Sequence, residues 1–101
     1  MDKRIDLIIK KLKEVYDPEI PVNIYDLGLI YNVNVDENNN AGIVMTLTAP
    51  GCPVVDILID EVTKAVSSVE GIEKVNVDLT FDPPWDKSMM SEEARLELGF
   101  F

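Results

Sequence analysis

The sequence contains no histidine and only one cysteine, Cys52. The first absence removes a Cys–His nucleophile pair, a histidine general base and any histidine-ligated metal site. The second removes an internal disulfide, so nothing points to an oxidising compartment. No apolar run reaches the roughly 18 residues that a membrane helix needs, so no membrane span is expected. The opening residues, Met1-Asp2-Lys3-Arg4-Ile5-Asp6, lack the apolar stretch of a secretory signal, and the cytoplasm is the expected compartment. Basic residues are few, 9 against 19 acidic, for a net charge of −10. That balance disfavours nucleic acid, whose binding rests on neutralising phosphates. Chemistry is left to Cys52, carboxylates, tyrosine, lysine or an external cofactor.

What is present fits one domain over residues 1–101, long enough for a modest core. The charge is divided. Residues 1–13 carry five basic and two acidic side chains, a balance of +3, and the rest carry four and seventeen, a balance of −13. This suits a surface for a basic partner or, more simply, a solvated face that keeps the protein soluble.

Apolar spacing predicts a helix over 3–16, with Ile5, Ile8, Ile9, Leu12 and Tyr16 on one face and Asp2 as its cap. Asp17-Pro18 ends it, because a residue before proline avoids the α region. Residues 17–28 form a long connection with two prolines and Gly28, and a loop of this length more often has a function than none. Over 29–36 the side chains alternate, Leu29, Tyr31, Val33 and Val35 against Asn32, Asn34 and Asp36, as in a half-buried strand. The asparagine-rich stretch from Asp36 to Gly42 is a turn. A hairpin partner follows, with Ile43, Met45 and Leu47 alternating with Val44, Thr46 and Thr48. After Ala49-Pro50-Gly51-Cys52 a second helix runs from Pro53 to Val69, burying Val54, Val55, Leu58, Val62, Ala65, Val66 and Val69, with Gly71 just past its end. Val75, Val77, Leu79 and Phe81 make a third strand, Asp82-Pro83-Pro84-Trp85 breaks it, and Ser91–Leu98 can form a terminal helix.

The fold class is therefore α/β, an α+β two-layer sandwich. Its α-β-β-α-β core is a three-stranded sheet covered on one face by two helices, with a short C-terminal helix added. A right-handed crossover should join strands two and three. Strand one is expected in the middle, with strand three antiparallel to it.

Cys52 is the chemical focus. Pro53 suits the first helical position, which puts Cys52 at or beside the helix cap. Unpaired N–H groups and the helix dipole there favour an anion, so a thiolate is stabilised. That thiolate is the form that binds soft metals. Thr48, at the end of strand two, can reach the same loop. A buried, inert cysteine fits the position equally well. Asp17, Glu19 and Asp26 in the long connection are candidate ligands or proton handlers, or else caps and solvated charges. Trp85 is either an interface anchor or a ring folded back over the core, the second being the simpler reading. Met89 and Met90 read more simply as packing than as a soft contact surface.

Three stretches, taken in order, carry a resemblance. They are Asp17-Pro-Glu-Ile-Pro-Val-Asn-Ile-Tyr-Asp-Leu-Gly-Leu-Ile-Tyr31, Met45-Thr-Leu-Thr-Ala-Pro-Gly-Cys-Pro53, and Asp82-Pro-Pro-Trp85 followed by Met90-Ser-Glu-Glu-Ala-Arg95. Over almost its whole length the chain resembles the SufT/PaaD-like family, also called domain of unknown function 59. The resemblance implies a two-layer fold related to the C-terminal cluster-assembly domain of NifU-type proteins. It also implies a non-enzymatic role in maturing iron–sulfur proteins, as carrier or adaptor. Its functional positions fall on Asp17, Glu19, Thr48 and Cys52. A labile iron–sulfur cluster is the implied cofactor. One thiol cannot supply four ligands, so the cluster would be shared with a partner, a small thiol, carboxylates or a second chain in a homodimer. Implied partners are iron–sulfur assembly proteins and recipient apoproteins. The cysteine-rich tail of PaaD proteins is absent. So is the G-x-x-x-x-G-K-[ST] pattern of relatives fused to a P-loop ATPase, and any such ATPase would be a separate partner. Two other readings remain open: a thiol redox protein, disfavoured by the missing base and resolving thiol, and an interaction adaptor without metal.

Overall fold

The computed structural model describes residues 3–17, 21–47 and 55–99. Its elements are α1 (Lys3–Leu12), β1 (Ile30–Val35), β2 (Asn40–Met45), α2 (Val55–Ser67), β3 (Lys74–Leu79), a short 3₁₀ turn (Lys87–Met89) and α3 (Glu92–Leu98). This is the expected α+β class. None of the helices is long and apolar enough to cross a membrane among the described residues.

Helix α1 buries Ile8 and Leu12 completely, as its spacing predicts, but it stops at Leu12 rather than Tyr16. It unwinds through bonds from the Glu14 N–H to the Lys11 carbonyl and from the Val15 N–H to the Leu12 carbonyl. The chain then runs extended beside 22–24. The Ile24 N–H donates to the Val15 carbonyl at 2.9 Å, and Tyr16 bridges Asn23. This switch from helical to extended spacing buries Val15 and leaves Tyr16 56% exposed.

The strand order is β1-β2-β3, with β1 antiparallel and β3 parallel to β2. The expected arrangement, with strand one central and strand three antiparallel to it, is corrected. The tight turn after β1 fixes β2 beside it, and α2 carries the chain back so that β3 starts alongside β2 in the same direction. Burial agrees, since Ala41, Ile43 and Met45 of β2 are at most 1% exposed. Across the sheet Val35, Ala41 and Val75 form one row, and Val33, Ile43 and Val77 the next. Both helices cover this face: α1 packs on β1 and α2, and α2 packs on β3. Leu58, Val62 and Val66 form the expected apolar stripe of α2 and join Ile8 and Leu12 in the core. Each such fully buried aliphatic side chain contributes about 1.5–3 kcal/mol, so this layer contact dominates the stability of the sheet. The helix ends at Ser67 rather than Val69, which is buried in the turn that follows. The expected Val54 and the Val55 side chain lie outside the described residues.

Three strand details differ from the alternation. Between Ile30 and Asn32 the register slips by one residue, a bulge at Tyr31. Ile30 packs against the core, and the Tyr31 hydroxyl instead reaches Pro83. Thr46, expected on the polar face, is fully buried because the chain has left the strand after Met45. Leu79 and Phe81, expected as core, are 37% and 40% exposed at the far end of β3, an edge strand.

The β1–β2 turn is tighter than the expected span to Gly42, since β2 already starts at Asn40. The Asp36 carboxylate accepts the N–H groups of Asn38 (2.8 Å) and Asn40 (3.0 Å), and Asn39 takes the left-handed region at φ 65°. These donors, Asn40 foremost, hold the Asp36 carboxyl below the usual carboxylate range. A depressed folded-state pKa means that the turn's stabilisation is complete above the usual range and is lost as pH falls through the lower folded value. In an NMR titration, the Asn38 and Asn40 amide shifts should move with an apparent pKa below that of a free aspartate. Asp36→Asn should abolish this transition.

Candidate functional site

The end of the sheet that bears the candidate loop is built around residues 22–29, part of the stretch expected as an irregular connection. Asn23 and Asp26 cap one another: the Asp26 N–H donates to Asn23 Oδ1 at 2.9 Å, and Asn23 Nδ2 donates to the Asp26 carboxylate at 2.8 Å. A single helical turn follows, with the Leu27 N–H on the Asn23 carbonyl. Two nested bonds close it, Gly28 N–H to the Tyr25 carbonyl (3.0 Å) and Leu29 N–H to the Ile24 carbonyl (3.1 Å). Gly28 sits at φ 83°. This is the geometry of a glycine-terminated helix, and the flanking Ile24 and Leu29 are both fully buried, as that motif favours. Asp26 thus serves as a cap of this turn, one of the roles expected of it.

The C-terminal segment fastens onto this turn. Trp85 Nε1 donates to the Leu27 carbonyl at 2.7 Å, the Ser91 N–H donates to the Asp26 carbonyl at 2.8 Å, and the Tyr31 hydroxyl donates to the Pro83 carbonyl at 2.7 Å. The ring of Trp85 packs on the core, so the folded-back reading holds. Met90 is buried, which is packing as expected; Met89 lies half-buried beside Tyr31. The Asp86 carboxylate accepts the hydroxyl and the N–H of Ser88, and these bonds cap the 3₁₀ turn and hold the carboxyl below its ordinary range. Ser91 caps α3 by accepting the Ala94 N–H, and Gly99 ends that helix at φ 78°, much as the sequence predicts.

Strand β2 leaves the sheet between these parts. The Thr46 N–H donates to the Leu29 carbonyl and the Thr80 N–H to the Met45 carbonyl, both at 2.8 Å. Leu47 is buried just before the connection to α2. Thr48 and Cys52 lie in that connection, outside the described residues, as does Glu19. Asp17 is described. Its N–H donates to the Val22 carbonyl, and its side chain, half-buried, lines a hollow of about 360 Å³ with Glu14, Tyr16, Ile57, Leu58 and Glu61. The structure thus brings Asp17 against the first half of α2, a few residues beyond Cys52. Among the described residues, no three His, Cys, Asp or Glu side chains gather closely enough to hold a metal ion.

Sequence reasoning missed the positioning roles of Asn23 and Tyr31, and read Gly28 as part of an irregular connection rather than as the end of a helical turn. An asparagine three residues before an aspartate, with glycine two further on, was a readable signal for a capped helical turn. The bulge at Tyr31 had none.

Comparison with known proteins gives the family. A family model described as iron–sulfur cluster assembly protein matches residues 5–79. The chain belongs to this family. A relative from Porphyromonas gingivalis, named Fe-S protein maturation auxiliary factor, is 59% identical over 93 residues, covering 92% of this chain and 89% of its own. The Fe-S protein maturation auxiliary factor SufT of Staphylococcus aureus is 41% identical, covering 84% of this chain and 97% of its own. A crystal structure from Bacillus anthracis, titled domain of unknown function 59, superimposes with a TM-score of 0.92 at 39% identity, over 98% of this chain and 94% of that one. The assembly domain described here is thus of the SufT and domain-of-unknown-function-59 type. Its overlay with the crystal structure runs on past residue 79, where the family match ends, and takes in the C-terminal clasp.

Gly28 gives the sharpest test of the clasp. A Cβ there would overlap the Met89 carbonyl and stand 2.7 Å from its carbon, in addition to the strain of a positive φ. At Gly99 a Cβ meets nothing within 4 Å. Left-handed strain alone costs about 1–2 kcal/mol, so Gly99→Ala should lose about that much in urea unfolding. Gly28→Ala should lose about 1–3 kcal/mol more through the backbone clash.

Proposed function

We propose that this chain matures iron–sulfur proteins as a carrier or adaptor, with the Cys52 thiolate gripping a cluster that is its cargo. The relatives carry the general role in their names. The observation that carries the specific reading is the placement of Asp17. This residue, which the resemblance groups with Glu19, Thr48 and Cys52, lines the same hollow as Ile57, Leu58 and Glu61 in the first half of the helix that follows Cys52. A lone thiol supplies one of the four ligands that a cluster needs. The others come from a partner, a small thiol or a second chain, with Asp17 and Glu19 as auxiliary carboxylates and Thr48 as a hydroxyl contact. A cluster held this loosely is suited to hand-over. With neither histidine nor a second cysteine in the chain, the thiol has no paired base and no resolving partner, which favours transfer over turnover.

Anaerobic reconstitution with ferric iron, sulfide and glutathione, the thiol reducing iron as the cluster requires, should give a coloured species that passes its cluster to an apo-ferredoxin. Cys52→Ser should lose both colour and transfer while its unfolding midpoint stays the same. Undiminished transfer by Cys52→Ser would sink the proposal.

A further inference from the structure

We propose that the hollow beside Asp17 docks an arginine- or lysine-rich segment of a protein partner through an apolar anchor. Ile57 and Tyr16 are 60% and 56% exposed, and they come from different elements yet face the same hollow, with buried Leu58 at its floor. Single exposed apolar side chains are ordinary; two converging in one concavity mark a place where a partner's side chain can be desolvated. The rim decides what fits. Glu14, Asp17 and Glu61 surround the apolar floor, and among the described residues no basic side chain lines it. Glu14 lies 4.0 Å from Lys11 in an exposed pair, a contact weak enough for an incoming cation to replace.

Tyr16 also lines a second hollow, of about 210 Å³, whose carboxylates are Asp26, Glu93 and Glu97. Tyr16 therefore borders two depressions that acidic residues line. A cation can lie over such a ring, as Lys13 does over Tyr25 at 5.3 Å. Another copy of the chain is disfavoured as occupant, because each copy carries −10, and nucleic acid is disfavoured for the same reason. A cationic polypeptide is drawn to this surface, and its apolar anchor gives the site selectivity beyond charge. The hollow borders the first half of α2, so a docked partner stands beside the helix that follows Cys52 in the chain. The inference does not depend on Cys52 carrying a cluster.

The test uses the full-length, ¹⁵N-labelled chain and short synthetic peptides. One carries leucine with flanking arginines, a second has serine in place of leucine, and a third has glutamate in place of arginine. The first should shift the amides of Tyr16, Ile57 and Glu61, with affinity falling as salt rises. Ile57→Ser and Tyr16→Ser, both exposed positions that leave the fold intact, should each weaken it about tenfold. Cys52→Ser should leave it unchanged, which separates this site from the cargo role. Equal binding of the serine peptide, shifts mapping elsewhere, or insensitivity to Ile57→Ser would overturn the proposal. So would concentration-dependent shifts of the same amides without peptide, which would mean that a second copy covers the hollow.

Discussion

The left-handed backbone at Gly28 turns the chain so that three nearby carbonyls face three different partners. The Asp26 carbonyl takes the Ser91 N–H, the Leu27 carbonyl takes the Trp85 indole and the Leu29 carbonyl takes the Thr46 N–H. The first two tie down the C-terminal segment, and the third pins the point where β2 leaves the sheet. Each bond is worth only about 1 kcal/mol net. Their joint effect is geometric: the position of β2's exit, and hence of the connection that carries Cys52, is set by a turn nearly twenty residues upstream. Met89 lies so close to Gly28 that no side chain fits between them. Clasp and turn therefore act as one packed unit.

The chemistry follows from scarcity. With one thiol and no imidazole, the chain alone cannot supply the four thiolate or imidazole ligands of an iron–sulfur cluster. Its acidic surface and its single soft ligand both call for something supplied from outside. An incomplete ligand set suits the hand-over role proposed above, because full coordination would make release slow. Asp17 connects the two aspects of the surface, since it borders both the helix that follows Cys52 and the hollow floored by Ile57 and Leu58.

Much of the fold was legible because its signals are local. The stripes of α1 and α2, the terminal helix after Ser91 and the glycine at 71, at positive φ, depend on spacing and backbone conformation alone. The misreadings share a different cause. Tyr16 continues the α1 stripe as well as any residue, and only pairing with the distant 22–24 segment turns it outward. The strand order depends on how α2 carries the chain across the sheet, although the burial of all three alternate residues of β2, against the asparagines of β1, was a usable hint that β2 is central. Simple alternation along β1 gave no warning of the Tyr31 bulge. At the site, resemblance singled out Asp17, but only tertiary packing joins it to Ile57 and Glu61, residues with no motif of their own.

The parallel pairing of β2 with β3 has a bearing on the order of assembly. β1 and β2 are joined by a tight turn and can zip within microseconds of being synthesised. The β2–β3 ladder joins residues such as Asn40 and Lys74, so it waits until all of α2 and β3 exists and a long loop has closed. Cys52 lies inside that loop. In the role proposed above, iron uptake through Cys52 would wait until the last strand has docked.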